Sequence, residues 1–271
     1  MSHTNKPHQN KFGTWIKISI TARMLMVGFL VIMLLIPLSF INELIAERSR
    51  RQQDVVSEIN DKWGNNVLVF GPILKLPYKT YTETKTFNEK TKTYFTETKT
   101  NINHAYIFPD NLNATADVNS KTLKRGNFES AVYTSNMTFN GHYSKPELEL
   151  KGIKNADIIW DKVSIIIKTS NLKGIKNDVN LNLNDTNYKF ETNFTDNTNH
   201  YSGNLDELES GFLNETDVPK SQAVSFSFSM AFNGSQDIQI VPIGKTTFMT
   251  MSSNWADPSF IGNFLPNDET K

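Results

Sequence analysis

The chain has 271 residues, with 28 basic and 28 acidic side chains, and therefore a formal net charge of zero. This balance argues against a nucleic-acid-binding protein, because such proteins carry a basic patch and a high isoelectric point. The sequence contains no cysteine, which excludes thiolate catalysis, disulfide bonds and cysteine-ligated metal sites.

An uncharged apolar segment, MLMVGFLVIMLLIPLSFI, lies at residues 24–41. A run of about 18 such residues is long enough to cross the roughly 30 Å hydrocarbon core of a bilayer as a helix. Spanning helices tolerate glycine and proline, here Gly28 and Pro37. We therefore predict a transmembrane helix at residues 24–45, after a cytoplasmic tail and interfacial lead-in at residues 1–23. The lipid bilayer is the first expected partner.

A cleaved signal peptide and a buried core helix are the alternatives for this segment. A signal peptide has a shorter apolar core and a small-residue cleavage site, whereas this segment is long, starts late and is followed by no A-x-A pattern. A buried core helix needs an apolar partner, and no comparable segment occurs elsewhere in the chain. An uncleaved membrane anchor is therefore favoured.

Basic residues flank the segment almost equally, so the positive-inside rule does not fix its orientation. The flanking basic residues are Lys6, Lys11, Lys17 and Arg23 on one side and Arg48, Arg50 and Arg51 on the other. The architecture that follows the segment favours a cytoplasmic N-terminus, with the rest of the chain in the periplasm.

Residues 46–64 are predicted to form a juxtamembrane helix. Apolar residues recur at helical spacing between charged ones, at Ile45, Val55, Val56, Ile59 and Trp63. Gly64 and Asn65 are suited to end the helix in a left-handed conformation. The apolar stripe indicates packing against the domain that follows. A coiled-coil dimer stem is the alternative, although the stripe is short for heptad repeats.

From residue 66 the sequence alternates with the period of two that is typical of strands. Residues 81–87 and 93–100 each contain the pentapeptide TETKT and flank Asn88-Glu89-Lys90. They predict a long hairpin, polar on both faces, that projects from the body. Further strands are predicted at residues 67–70, 104–108, 128–139, 158–168, 178–184, 188–194, 223–232, 237–241 and 246–252.

The predicted fold is mainly β. The transmembrane helix and the juxtamembrane helix precede one large antiparallel β-sandwich-like domain at residues 65–271. A helical turn is expected near residues 205–213. The clean alternation of VSFSFSM at residues 224–230 predicts one buried face, formed by Val224, Phe226, Phe228 and Met230.

The sequence contains no recognisable catalytic, cofactor-binding or metal-binding motif. Its five histidines are not spaced as metal ligands, and it has no phosphate-binding loop, dinucleotide glycine pattern or nucleophile elbow. A stretch from Asp196 to Ser202 superficially resembles a calcium loop, but the glycine falls at Gly203 instead of the sixth position. We therefore predict no catalytic residue, no metal ligand and no cofactor.

The segment VPIGKTTFMTMSSNWADPSFIGNFLPND at residues 241–268 is the most distinctive in the chain. A predicted strand runs into an irregular stretch, in which Pro258 and Pro266 fix backbone angles and Gly262 permits unusual ones. Its large apolar residues are too numerous for a free tail: Trp255, Phe260, Ile261, Phe264 and Leu265. We expect them to dock on the sheet of the same domain, or on something else near the membrane.

This segment resembles the CreD family of bacterial inner-membrane proteins, in which P-x-G-x on a strand precedes S-N-W-x-H-P-S-F-x-G-x-F-L-P. The residues that match are Pro242, Gly244, Ser253, Asn254, Trp255, Pro258, Ser259, Phe260, Gly262, Phe264, Leu265 and Pro266. A turn after the juxtamembrane helix is also similar, at Gly71, Pro72 and Pro77. The resemblance covers about residues 15–267, and it implies structural or interaction roles for these residues.

Two positions depart from the family pattern. Asp257 stands where the family usually has histidine, and Lys173-Gly174 stands where it tends to have Arg-Gly. Lysine lacks the planar, bidentate geometry of arginine, so the resemblance does not extend to an ionic pair built on that group, although Gly174 itself matches. Family members continue past the C-terminal block with more periplasmic chain and several membrane helices. The resemblance thus implies a β-domain truncated at its C-terminal end, as a fragment or a short form.

The resemblance implies a non-enzymatic cell-envelope integrity protein of the inner membrane, associated with envelope stress and with β-lactam and colicin tolerance. Its periplasmic β-domain would bind an envelope protein, lipid or glycan. A sensor or adaptor that signals through the juxtamembrane stem is one alternative. A cell-wall hydrolase that uses carboxylates such as Asp161, Asp196 and Glu207 is the other. No nucleic-acid partner is expected, and the oligomeric state is left open.

Overall fold

The computed structural model describes residues 19–90, 92–146, 148, 152–192, 205–220, 222–256 and 258–262. The chain divides into two compact units, Met1–Ser57 and Glu58–Lys271. In the described residues, the first unit is helical and the second is built on β-sheet. The prediction of a mainly β chain with an N-terminal apolar helix is therefore confirmed.

Helix α1 (Ile20–Trp63) contains 44 residues, which corresponds to about 66 Å at 1.5 Å per residue. Its most apolar window of 18 residues has a mean hydropathy of 2.7, and no part of that window is buried by the protein. By length and composition, α1 is suited to cross a membrane. Pro37 lies inside the helix without ending it. The hydroxyl of Ser39 donates a 2.7 Å hydrogen bond to the carbonyl of Ile36.

Eleven strands follow α1 in the described part of the chain. They are β1 (Val67–Asn88), β2 (Thr93–Ile107), β3 (Asn111–Arg125), β4 (Phe128–Tyr143), β5 (Ser164–Thr169), β6 (Asn180–Leu183), β7 (Thr186–Thr192), β8 (Asp206–Ser210), β9 (Val224–Ser235), β10 (Ile238–Ile240) and β11 (Thr246–Ser253). Short 3₁₀ helices lie at Asn155–Asp157, Trp160–Lys162, Leu172–Gly174 and Glu215–Asp217.

The strands form a mixed sheet with the order β10-β1-β5-β8-β7-β6-β9-β4-β3-β11, and β2 pairs separately with β1. The sheet has two halves: one contains β10, β1, β5 and β8, and the other contains β6, β9, β4, β3 and β11. Strand β7 pairs with both β6 and β8 and so joins these halves. Most neighbouring strands are antiparallel, as predicted, whereas β1–β10 and β3–β11 are parallel. Parallel neighbours need crossover connections, and here the chain crosses between the halves before β10 and again before β11.

Residues from both halves of the sheet form one hydrophobic core. The buried face of β9 consists of the predicted residues Val224, Phe226, Phe228 and Met230. The ring of Phe228 stacks on that of Phe139 in β4, with centroids 4.7 Å apart. Strand β5 is buried on both faces, because the consecutive residues Ile165, Ile166 and Ile167 are at most 1% exposed. This burial fits the dense apolar run from which a central strand is predicted.

Strands β1 and β2 form the predicted hairpin, with a continuous ladder from Leu74↔Ile107 to Asn88↔Thr93. The paired residues 79–88 and 93–102, called the arm below, have almost entirely exposed side chains on both faces. Four of these exposed side chains are aromatic, namely Tyr81, Phe87, Tyr94 and Phe95. The arm is therefore less uniformly polar than the threonine-rich sequence predicts.

Three local features differ from the sequence predictions. Strand β3 is not predicted, because its inward face carries mainly small residues, Leu112, Ala114, Ala116 and Val118. The helical turn expected near residues 205–213 is wrong, since Asp206–Ser210 is strand β8 and pairs with β5. The strand predicted at residues 158–168 starts only at Ser164, because a 3₁₀ turn at Trp160–Lys162 precedes it.

Candidate functional site

Strand β11 forms one end of the sheet and carries the start of the family-like C-terminal segment. It pairs in parallel with β3, from Thr246↔Asn111 to Ser253↔Val118. Its other edge has no partner strand among the described residues. Native sheets protect such edges with charged residues, proline or bulges, but the sequence of β11, TTFMTMSS, has neither charge nor proline. In the part of the chain that the structure describes, no strand pairs with the outer row of backbone hydrogen-bonding groups of β11.

Apolar side chains accompany this edge. Phe248 is 63% exposed, Trp255 is 43% exposed and Ile261 is 76% exposed. With three further exposed side chains they define the β11 surface, made of Phe248, Met249, Met251, Trp255, Phe260 and Ile261. The sequence predicts that Trp255 and Phe260 dock either on the sheet of the same domain or on something else near the membrane. In the structure, both residues remain accessible. The family-motif residues Phe264, Leu265 and Pro266 lie outside the described residues, as does Asp257.

The side chain of Asn254 fixes the chain where it leaves β11. Its Oδ1 accepts hydrogen bonds of 2.7 Å from both the backbone nitrogen and the hydroxyl of Ser120. Its Nδ2 donates to the carbonyl of Ser120 at 3.0 Å and to Oδ1 of Asn119 at 3.2 Å. The hydroxyl of Ser253 accepts a 3.1 Å bond from the backbone nitrogen of Trp255. Two motif residues thus hold the backbone next to Trp255, while Pro258, Ser259 and Gly262 are exposed.

The connection before β11 contains Pro242 and Gly244. The backbone nitrogen of Gly244 donates a 3.1 Å bond to the hydroxyl of Thr247. A Cβ atom at Gly244 would lie 2.7 Å from the carbonyl oxygen of Thr246, so this tight turn requires glycine. The turn sets the register of β11 on β3.

An ion pair between Lys245 and Asp110 fastens the start of β11 to the start of β3. The backbone nitrogen of Ser144 also donates a 2.7 Å bond to Oδ2 of Asp110. Burial alone would raise the pKa of Asp110, but the hydrogen bonds from Lys245 and Ser144 outweigh it and lower that pKa to about 2. Asp110 is therefore an ionised structural group at neutral pH.

Gly71, Pro72 and Pro77 belong to β1 and have structural positions. The peptide between Gly71 and Pro72 is cis, and the pairing of β1 with β5 shifts its register between Phe70 and Ile73. A Cβ atom at Gly71 would lie 3.0 Å from the Cα atom of Ile167. The carbonyl of Pro77 accepts a 2.9 Å bond from the nitrogen of Ile159. Gly71 and Pro72 thus lie at the register shift between β1 and β5, and Pro77 lies where β1 meets Ile159.

Gly174 packs against a polar junction centred on Asn171. The Oδ1 of Asn171 accepts a 2.8 Å bond from the nitrogen of Gly174, and its Nδ2 donates a 3.0 Å bond to the carbonyl of Asn233. A Cβ atom at Gly174 would lie 2.3 Å from both Asn171 Nδ2 and the Asn233 oxygen, and one at Gly64 would lie 2.6 Å from the same two atoms. Two glycines therefore enclose one side-chain amide.

The last residues of α1, which belong to the unit Glu58–Lys271, are fastened to the β3–β4 hairpin. Trp63 Nε1 donates a 2.9 Å hydrogen bond to the carbonyl of Tyr133, and Ser130 Oγ donates a 2.8 Å bond to Asn60 Oδ1. Arg125 forms an ion pair with Glu58. The ammonium of Lys121 lies 4.1 Å from the centre of the Trp63 ring, a cation–π contact.

We call this set of contacts the helix-end clamp. The helical stripe at Ile59 and Trp63 predicts its apolar part, since Ile59 is buried. Its polar part could not be read from the sequence, because Asn60 and Ser130 are separated by 70 residues. The clamp favours packing of the helix end on its own domain over a free stem.

A charged cluster lies across β1, β5 and β8. Lys75 Nζ lies 2.9 Å from Glu209 Oε1 and 3.8 Å from Glu207 Oε1, and Lys168 Nζ lies 3.6 Å from Glu207 Oε2. The hydroxyl of Ser164 donates a 2.6 Å bond to Glu209. The acidic and basic side chains of this cluster pair with one another, so the cluster is a structural ion-pair network.

Two of the three carboxylates considered for a hydrolase lie in the described residues, in different elements. Glu207 lies in the ion-pair network, Asp161 lies in the 3₁₀ turn before β5, and Asp196 is outside the described residues. Within the described part of the chain, no group of three or more histidine, aspartate or glutamate side chains is arranged to hold a metal ion. Among the described residues, the candidate functional surface is therefore the edge of β11 and not a cluster of titratable groups.

Comparisons with known proteins agree with the membrane helix and the C-terminal motif. The family model described as "Inner membrane protein CreD" matches residues 19–270. Inner membrane protein CreD of Escherichia coli (strain K12) is 28% identical over 239 residues, which cover 87% of this chain and 49% of that protein. The chain thus spans about half the length of this curated relative. No solved structure matches the chain. The chain therefore belongs to the CreD family of inner membrane proteins.

Proposed function

We propose that the chain is a non-enzymatic cell-envelope integrity protein that holds an extended polypeptide segment of another envelope protein against the edge of β11. Helix α1 anchors it in the inner membrane with a cytoplasmic N-terminus and a periplasmic β-domain. The role in envelope stress and in β-lactam and colicin tolerance is part of this proposal. The observation that carries it is the uncharged, proline-free edge of β11 beside six exposed apolar side chains.

An extended polypeptide is the ligand that suits such an edge. A strand added to an open sheet edge gains main-chain hydrogen bonds, and side chains of the acceptor give selectivity. Phe248 and Trp255 supply aromatic contact area of the kind that dominates protein interfaces. Glycans, by contrast, offer no backbone amides to continue the ladder. Ser253 and Asn254 hold the backbone beside Trp255, which limits the ordering that binding requires at this surface.

The non-enzymatic part of the proposal is supported by the charged cluster. The hydroxyl of Ser164 contacts this cluster and is 1% exposed. A nucleophile must reach its substrate, and this hydroxyl instead donates to Glu209. Lys75 is engaged by two carboxylates. The cluster therefore stabilises the sheet.

The proposal is tested with a photo-crosslinker at Phe248 in cells that depend on the full chain for β-lactam tolerance. We expect a cross-link to one envelope polypeptide. Thr250→Lys, which places a charge on the edge, should remove both the cross-link and the tolerance. Thr98→Lys on the exposed arm is the matched control and should leave both unchanged. Full tolerance with Thr250→Lys, or its loss on Ser164→Ala in a folded protein, would overturn the proposal.

A sensor or adaptor is the second candidate, and the helix-end clamp favours it. The clamp fastens the end of α1 to β3 and β4. A structural change that ligand binding causes in the sheet is therefore passed directly to that helix end. Signalling of this kind requires two arrangements of the helix. Disulfide cross-linking from single cysteines at residues 46–57 should then change its pattern when the β11 ligand is bound. An unchanged pattern would exclude this candidate.

A further inference from the structure

The arm extends away from the hydrophobic core of the domain. A two-stranded hairpin by itself is marginally stable in water, and this one continues for ten residue pairs, from Lys79↔Ile102 to Asn88↔Thr93. At 3.3 Å per residue it extends about 33 Å. Its side chains contribute little to the core, because almost all of them are exposed. A feature of this size that does not support the fold calls for a binding role.

Aromatic side chains concentrate at the far end of the arm. Tyr94 is 75% exposed, and Phe87 and Phe95 are also exposed. The rings of Phe87 and Tyr94 lie 5.0 Å apart, so they form a small amphipathic platform in water. The two TETKT stretches behind them contain no aromatic residue. Three of the four exposed aromatic side chains of the arm thus lie at its tip, and the fourth, Tyr81, lies nearer its base.

Charge is distributed in the same way. Residues 85–95, called the arm tip, contain Lys85, Lys90 and Lys92 against Glu89, a net charge of +2. The rest of the arm, residues 79–84 and 96–102, is called the shaft and contains Glu83 and Glu97 against Lys79 and Lys99, a net charge of zero. The chain as a whole is neutral. The positive charge is therefore local to the aromatic tip.

We propose that the arm tip binds an anionic phospholipid surface. Aromatic rings with one polar side favour the headgroup region of a bilayer, and lysines beside them are attracted to anionic lipids. The combination of aromatic and lysine side chains on a narrow projection fits a membrane surface, which has no shape to match. A protein groove or a glycan would instead select a shaped face, and the cavity that touches the arm, lined by Lys79, Thr80 and Tyr81, lies at its base and not at the tip.

The membrane helix gives this contact its strength. Anchoring by α1 confines the chain to a bilayer, so a second contact with lipid forms at a high effective concentration. An individually weak interaction then suffices. This inference rests on anchoring in the membrane but is independent of the ligand proposed for β11, because the arm tip and the β11 surface share no residue.

The test uses the absence of cysteine from the chain. Thr86→Cys at the tip and Thr82→Cys on the same face of the shaft are each labelled with an environment-sensitive fluorophore. The full chain is placed in nanodiscs of phosphatidylcholine, with or without phosphatidylglycerol, and the acyl chains carry a quencher. We expect a blue shift and quenching at residue 86 only when phosphatidylglycerol is present. The label at residue 82 should remain unquenched.

Charge and aromatic variants separate the two parts of the proposal. Lys85→Glu with Lys92→Glu should abolish the quenching, and Tyr94→Ser with Phe95→Ser should abolish the blue shift. Lys99→Glu on the shaft is the matched charge control and should change neither. Equal quenching at residues 86 and 82, or equal quenching without phosphatidylglycerol, would overturn the proposal. Neither result would affect a cross-link from Phe248, so failure here is distinct from failure of the proposed function.

Discussion

Trp63 and Tyr133 are joined by a hydrogen bond of 2.9 Å from the indole nitrogen to the backbone carbonyl. The bond links the last residue of α1 to strand β4, which lies between β3 and β9 in the sheet. The hydroxyl of Tyr133 in turn donates a 2.7 Å bond to the carbonyl of Asp237, just before β10. One residue of β4 therefore receives the helix end and also holds the point at which the chain crosses to the other half of the sheet.

Trp63→Phe tests the first of these bonds. The variant keeps an aromatic ring under Lys121 but removes the indole donor, so we expect a loss of about 1 kcal/mol in the free energy of unfolding. The measurement is denaturant unfolding of the full chain in detergent micelles. Trp160→Phe is the matched control, because Lys220 lies 4.9 Å from the Trp160 ring centre. An equal loss for both variants would contradict a specific role of the bond to Tyr133.

Gly174→Ala tests the junction around Asn171. The added methyl group would lie 2.3 Å from the backbone oxygen of Asn233, which cannot move without disturbing β9. We expect a loss of about 1–3 kcal/mol, as is typical of overpacking. Gly211→Ala serves as the control, because no atom lies within 4 Å of its added methyl group. Thermal unfolding of both variants gives the comparison, and similar midpoints would refute the role of the junction.

Asp110→Asn tests the link between β3 and β11 and its pH dependence. The pKa of Asp110 is about 2 in the folded protein, whereas an unperturbed aspartate has a pKa of 3.8. The ionised carboxylate therefore stabilises the folded state fully above the unperturbed pKa. That stability is lost as the pH falls through about 2. Lys245 is 77% exposed, and solvent screening limits the effect to about 1 kcal/mol.

The pH series gives this prediction its sign. At pH 7, Asp110→Asn should be less stable than the original chain, and the difference should shrink steadily as the pH is lowered from 5 toward 2. Unfolding curves across that range measure it. A difference that stays constant with pH would show that the carboxylate charge does not contribute.

The orientation of the chain is tested with single cysteines, for which the cysteine-free sequence is a ready background. Asn187→Cys is on the exposed face of β7, and Ser2→Cys precedes the apolar helix in the sequence. We expect a membrane-impermeant maleimide to label residue 187 in intact spheroplasts, and residue 2 only after permeabilisation. The opposite pattern would place the β-domain in the cytoplasm and refute the proposed topology.

Elements with a strong sequence period could be predicted. A few consecutive residues are enough to recognise three of them: the apolar run of α1, the threonine-rich hairpin and the alternating face of β9. Strands β3 and β8 cannot be recognised in this way. The inner face of β3 relies on alanines, and β8 places Glu207 and Glu209 beside lysines of other strands, which makes it look like a solvated loop.

The candidate site was only partly accessible to sequence reasoning. The C-terminal motif pointed to residues 242–266, but the sequence could not show that Asn254 would bind Ser120, 134 residues away. The openness of the β11 edge depends on strand order, which no local pattern contains. Its one available signal is the absence of any charged or proline residue from Thr246 to Ser253, which is unusual for an edge strand.

The helix-end clamp also has a mechanical consequence. Only Gly64, Asn65 and Asn66 separate α1 from β1, and the carbonyl of Asn65 is itself held by the nitrogen of Ser235 at 2.7 Å. No slack chain remains at this joint to act as a swivel. A force or torque applied to residues 58–63 would therefore act directly on the hydrogen bonds between β4 and β9, because the connection to the sheet is short and held by hydrogen bonds.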